Sequence, residues 1–125
     1  MIIGTGVDIA EVDRIEAAIR RRGQPFLNRI YTPAEIAYCE RHRDKFERYA
    51  ARFAAKEAAM KALGIGWGRG VRWLDFEVTR QSGGRPTLTL TGRAKEFADR
   101  FHVRGISLSI THSGNIALAQ VIFED

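Results

Sequence analysis

The chain has 125 residues, 45% of them hydrophobic and 28% charged, with a formal net charge of +5. That length and balance suit one domain, residues 1–125, with a core that needs no staples, and they exclude a disordered or collagen-like chain. The one cysteine, Cys39, excludes an internal disulfide and a cysteine-ligated zinc site, and the surplus of positive charge favours an anionic partner or substrate.

Residues 2–9 alternate as a strand, with Ile3, Val7 and Ile9 on one side and Gly4, Gly6 and Asp8 on the other. Two glycines beside an acid fit two readings: a strand crossed closely by another backbone, or a carboxylate open to a ligand. The segment has no basic region ahead of its apolar residues, so it is not a signal peptide, and no run approaches the roughly 20 residues of a membrane span. A cytoplasmic protein with no membrane partner is expected.

Residues 11–22 carry Val12, Ile15 and Ile19 at helical spacing, with Asp13 and Glu16 early, three arginines late, and Gly23 as a stop. Arg14 and Arg21, seven apart, share one face of this helix. Thr32-Pro33-Ala34-Glu35 reads as a capping box opening a helix with Ile36 and Cys39 inward. Asp44-Lys45-Phe46-Glu47 repeats that logic and starts a long helix to Leu63. Arg41, His42, Arg43, Lys45, Arg48 and Arg52 make a basic cluster around that start.

On the long helix, Phe46, Tyr49, Ala50, Phe53 and Met60 define an apolar stripe. At roughly 100° per residue, Glu57 projects within about 40° of Phe53 and about 60° of Met60, inside the stripe. A carboxylate there requires a partner. Lys61, one turn on, is the simplest, as an ordinary i,i+4 pair; a metal ion or a distant cation is the other. The next segment, Gly64 to Gly70, has glycine at every second position and no P-loop ending, so a mobile connector is expected.

From Val71 the pattern turns to period 2. Leu74, Phe76 and Val78, then Leu88 and Leu90, flank a hairpin loop at 82–86. Gly92 to Phe101 reads as a short helix, and Ile106 to His112 and Ile116 to Phe123 as a closing hairpin around Ser113-Gly114-Asn115. The order of elements favours an α+β fold with a mainly antiparallel sheet. Two inward acids, Asp8 and Glu57, with few other protein ligands and Lys61 nearby, suit magnesium chemistry on a phosphate ester. His112, at a strand end, fits either a structural role or a phosphate contact.

Four runs carry a resemblance: Gly6-Val7-Asp8-Ile9-Ala10-Glu11-Val12-Asp13-Arg14-Ile15, Arg52-Phe53-Ala54-Ala55-Lys56-Glu57-Ala58, Lys61-Ala62-Leu63-Gly64, and Ser109-Ile110-Thr111-His112-Ser113. In order and over the whole length, the chain resembles the holo-acyl-carrier-protein synthase family, the small bacterial 4'-phosphopantetheinyl transferases. The resemblance implies a sheet wrapped by the long helix. It also implies transfer of phosphopantetheine from coenzyme A to a serine of apo acyl carrier protein, with release of adenosine 3',5'-bisphosphate, in support of fatty acid biosynthesis. It implies Mg2+ on Asp8 and Glu57, Lys61 on the pyrophosphate, and Arg52, Gly64 and His112 toward coenzyme A. Glu57, directly or through a metal-bound water, is the expected base. Arg14 and Arg21 become the docking face for the acidic carrier. The family's homotrimer implies that Asp8 and Glu57 meet across a subunit interface.

The chain departs from the family at Gly66-Trp67-Gly68-Arg69-Gly70, a variable loop in which Trp67 is an unusual addition, and at Arg85, where lysine is commoner. Two rival readings remain. A nucleic-acid-binding domain rests on charge alone, has few interleaved aromatics, and leaves Asp8 and Glu57 without a purpose, so no nucleic-acid partner is expected. A magnesium-dependent phosphohydrolase would use the same acids without any carrier protein.

Overall fold

The computed structural model describes residues 1–125. Strand β1 (Ile2–Glu11) leads to helices α1 (Val12–Arg22), α2 (Gln24–Ile30), α3 (Pro33–Glu40) and α4 (Lys45–Leu63). A 3-10 turn at Trp73–Asp75 precedes the hairpin β2 (Phe76–Arg80) and β3 (Pro86–Leu90), then α5 (Gly92–Arg100), β4 (Gly105–Ser113) and β5 (Ile116–Glu124). The main sheet is antiparallel in the order β1-β5-β4, and β2-β3 forms a second, two-stranded sheet. The α+β expectation therefore holds.

The long helix does not wrap the sheet; the rest of the chain wraps it. Between Tyr49 and Leu63 only Phe53, Glu57 and Lys61 escape full burial. Its alanines at 50, 51, 54, 55, 58, 59 and 62 are all buried, and such small side chains let neighbouring backbones come close. β1 does so most. A Cβ on Gly6 would lie 1.9 Å from the Ala58 carbonyl oxygen, and one on Gly4 would lie 2.1 Å from that of Ala62. Glycine is thus required at both positions. The two contacts also set the register: the strand runs down the helix and carries Asp8 to the turn of Glu57.

Several boundaries follow tertiary contacts. The Thr32–Glu35 capping box forms as read. At Asp44 no side-chain cap forms, because its carboxylate accepts from Arg48 Nε at 3.0 Å instead. α1 is capped from afar: Asn115, in the β4–β5 turn, accepts from the amides of Val12 at 2.8 Å and Asp13 at 3.0 Å. The period-2 pattern from Val71 becomes strand only at Phe76, since the buried Asp75 carboxylate accepts from the amides of Arg72 and Ala94 and folds the preceding residues into the 3-10 turn.

One ion pair lies wholly inside. Lys56 Nζ is 2.8 Å from Glu35 Oε1, both side chains fully enclosed. Lys56 also donates to the carbonyls of Trp73 and Phe76, while Glu35 accepts from Val78 N at 2.8 Å and Thr32 N at 2.8 Å. Burial pulls the lysine pKa down, and the Glu35 charge pulls it back. This cross-link ties α3, α4 and β2 together.

Candidate active site

Phe53, Glu57 and Lys61 recur every fourth residue, so they form one line along α4, and it is the least covered line of that helix. Glu57 therefore sits at the edge of a buried helix and not within an apolar stripe. The sequence pattern misleads here because α4 is enclosed on nearly every side.

Asp8 reaches this line from β1. Lys61 Nζ donates to Asp8 Oδ1 at 2.8 Å and to the Val7 carbonyl at 3.1 Å. The i,i+4 Glu57–Lys61 pair is thus absent, because the glycine crossing brings Asp8 within the lysine's reach. Glu57, half-buried, has its pKa raised by desolvation first and then by the Asp8 charge, against weaker opposition from the Trp67 side chain and Lys61. Lys61 has its pKa raised by its bond to Asp8. The two acids thus feel one another within a single chain. The expectation that they meet across a subunit interface is corrected: β1 and α4 of the same chain carry them together.

Two neighbouring carboxylates with one ammonium leave uncompensated negative charge, which a divalent cation would relieve. No group of three or more His, Cys, Asp or Glu side chains surrounds the pair. The protein therefore offers Asp8 and Glu57 and leaves the other positions to water and substrate, a donor set that fits magnesium.

Glu57 opens on a cleft of about 760 Å³ lined by Trp67, Val71, Trp73 and Leu74, with Arg29 and Arg72 at its rim. Phe53, Trp73 and Trp67 stack in series, with centroids 4.8 and 4.3 Å apart and planes tilted 26° and 27°. The glycine-rich segment is therefore anchored by its tryptophan and is not a free connector. Gly64 ends α4 in the left-handed region at φ 76°, with its amide donating to Met60 O at 3.1 Å.

Arg52 and His112 share a different cleft of about 300 Å³ with Arg48 and Arg80. Arg52 is buried, lies 4.2 Å from the Tyr38 ring, and leaves its Nε without a partner. Arg48 Nη1 and Arg80 Nε donate to the Tyr38 hydroxyl at 2.7 and 2.9 Å. His112 Nε2 is 3.4 Å from the Glu47 carbonyl oxygen. Glu47 is ten residues before Glu57, about 15 Å along the helix. One chain thus gathers Asp8, Glu57 and Lys61 at one place and Arg52 with His112 at another.

Arg14 and Arg21 flank a third depression with Ile9, Ile15, Phe26 and Phe53. Arg14 is 79% exposed at its side chain. Phe53 belongs both to this groove and to the aromatic stack, so the groove adjoins the Glu57 cleft. Sequence reading missed α2, the buried Lys56–Glu35 pair, the Tyr38 arginine cluster and the stack. The adjacent sequence Lys56-Glu57 in a buried helix held a signal for the second of these, since both charges need partners.

The family model of the 4'-phosphopantetheinyl transferase superfamily matches residues 4–120. A holo-[acyl-carrier-protein] synthase of Solibacter usitatus is 60% identical over the full length of both chains. Among solved structures, holo-[acyl-carrier-protein] synthase from Neisseria meningitidis superposes with a TM-score of 0.90 at 32% identity, covering all of both chains. The Helicobacter pylori enzyme in complex with coenzyme A superposes at 0.85 and 36% identity, covering 96% of this chain and 99% of that one.

Proposed function

This chain belongs to the 4'-phosphopantetheinyl transferase superfamily, and we propose that residues 1–125 act as one domain that transfers the 4'-phosphopantetheine group of coenzyme A to a serine of apo acyl carrier protein. The observation that carries the reading to these residues is the Asp8–Glu57–Lys61 cluster at the mouth of an aromatic cleft.

The serine oxygen bonds to the pantetheine-side phosphorus, the bridging P–O bond breaks, and adenosine 3',5'-bisphosphate leaves with the bridging oxygen. Asp8 and Glu57 would hold Mg2+, which when bound neutralises the pyrophosphate and stabilises charge on the leaving phosphate. Lys61 turns from Asp8 toward the pyrophosphate. Glu57, with its raised pKa, accepts the serine proton directly or through a water. Gly64, with open space where a side chain would stand, lets the substrate approach the backbone. Arg52 and His112 hold the nucleotide end; the unpartnered buried Nε of Arg52 supports an anion there. Arg14 and Arg21 dock the acidic carrier beside Phe53.

The separation of the two clefts gives the homotrimer its purpose. The nucleotide cleft of one copy completes the acid cluster of the next. The exposed apolar residues of edge strand β1, Ile2, Ile3, Val7 and Ile9, supply a surface for that contact. A free, buried Cys39 fits a cytoplasmic setting, where the reaction would serve fatty acid biosynthesis.

The test is to incubate the protein with coenzyme A, Mg2+ and an apo acyl carrier protein and to weigh the carrier. A gain of one phosphopantetheine group, lost with EDTA, is expected. Release of adenosine 3',5'-bisphosphate with no gain on any carrier would instead favour the hydrolase reading.

A further inference from the structure

We infer that the Trp67–Trp73 stack is the seat of the pantetheine arm of coenzyme A, with Trp67 as its loop-borne wall. This rests on the coenzyme A reading above and adds to it a subsite and a specificity residue.

Coenzyme A has two unlike ends that diverge from its pyrophosphate. One carries the ribose 3'-phosphate and is strongly anionic. The other is an uncharged chain of two amides, methyl groups and a terminal thiol. The protein has two unlike clefts. In one, Arg48, Arg52, Arg80 and His112 meet a single acid, Asp44, which pairs with Arg48 at 3.0 Å and leaves the cleft net cationic. The other begins at Glu57 and continues over Trp67, Val71, Trp73 and Leu74. Of the two cations at its rim, Arg72 already faces the buried Asp75 at 3.6 Å, which leaves Arg29 alone. A multiply charged phosphate end belongs in the first cleft. An uncharged arm with methyls and planar amides belongs on the aromatic one. At about 760 Å³ the space is of the size that takes small ligands.

The two tryptophans are held differently. Trp73 is pinned through its carbonyl by the buried Lys56 at 3.2 Å. Trp67 sits on a loop with Gly64, Gly66, Gly68 and Gly70 at φ of 76°, 70°, 102° and 81°. No atom lies within 4 Å of a Cβ placed on the first three of these, so the loop backbone stands clear of the body. Trp67 returns to the body by stacking on Trp73, by an edge contact with Phe76 at 6.0 Å and by a side-chain hydrogen bond to Glu57. The ring thus forms a loop-borne wall of the cleft opposite a partner fixed to the core. The loop that departs from the family pattern thereby gains a task.

Trp67 and Trp73 are the chain's only tryptophans, so intrinsic fluorescence reads this cleft in the unaltered protein. Coenzyme A and pantetheine should quench or shift the emission, and adenosine 3',5'-bisphosphate should not. Calorimetry with Mg2+ on wild type, Trp67→Ala and Trp67→Phe then assigns the contact. Trp67→Ala should weaken coenzyme A by about tenfold and leave adenosine 3',5'-bisphosphate unchanged, while Trp67→Phe, which keeps a stacking ring and loses only the indole N–H to Glu57, should recover most of that loss. Equal losses for both ligands would move Trp67 to the nucleotide and overturn the inference, as would no loss for either. A wild type that transfers phosphopantetheine without any pantetheine-dependent emission change would overturn it while sparing the activity. A wild type that neither transfers nor binds coenzyme A would overturn both.

Discussion

Lys56 and Glu57 are neighbours in α4 and have opposite fates. Lys56 points into the core, where Glu35 and two carbonyls satisfy it, and Glu35 in turn is satisfied by two amides. Glu57 points to the cleft, where burial and Asp8 both oppose its charge, the Trp67 side chain offers it a single hydrogen bond, and the one nearby ammonium is engaged with Asp8. The first charge is buried and complete. The second is half-buried and incomplete, which is the condition of a group that awaits a ligand. Burial alone does not mark a functional charge; burial with too few partners does.

Substitutions should separate the two regions. The largest effect on activity is expected at the incomplete pair: Asp8→Ala or Glu57→Ala should cut carrier modification by about 10³-fold or more, with circular dichroism unchanged. A single variant retaining full activity would remove that acid from the site. The complete pair should answer in stability instead. Lys56→Met leaves Glu35 buried and unpaired, and urea unfolding should show a loss of about 3–5 kcal/mol. Removing both charges in Lys56→Met/Glu35→Leu should recover part of it, but not all, because the amides of Val78 and Thr32 lose their acceptor.

The carrier surface should give a smaller and purely kinetic effect. Arg14→Glu with Arg21→Glu should raise the carrier KM by about tenfold and leave coenzyme A binding alone, since these arginines lie outside the cleft. An unchanged KM would sink the docking face. The smallest effect is one of stability and pH. Because the folded protein raises the Glu57 pKa, ionising it costs stability: the protonated form's advantage is complete below the ordinary glutamate value and is lost as pH rises through the folded one. Glu57→Gln should therefore match wild type in acid and exceed it near neutrality. Solvent screening holds the gain below about 1 kcal/mol, readable in thermal melts at two pH values.

The fold was legible where local chemistry decided it. Thr32, Pro33 and Glu35 announce α3, and Ser113-Gly114-Asn115 marks the last turn. α2 was not legible, since Gln24 to Ile30 is a two-turn helix whose only fully buried side chains are Leu27 and Ile30. Nor was the start of β2, which depends on Asp75 reaching the amide of Ala94, nineteen residues away. At the site, Asp8 and Glu57 stood out as acids among apolar residues, but their relation did not. It depends on a crossing so close that a Cβ at position 6 would lie 1.9 Å from the Ala58 carbonyl oxygen, and a sequence shows the glycine without what crosses it. Lys61 beside Glu57 in the helix invited a local pair, and the strand took the lysine away.

One chain carries both acids, and in the proposed trimer a neighbour supplies the nucleotide cleft. The direct measurement is to unfold the inactive Asp8→Ala and Glu57→Ala chains, refold them together, and assay carrier modification. A Glu57→Ala and His112→Ala mixture runs beside it, since there each chain keeps what the other lacks. Recovery is expected in the second mixture and none in the first. Recovery from Asp8→Ala with Glu57→Ala would mean that the acids meet between chains, and would overturn the single-chain pair.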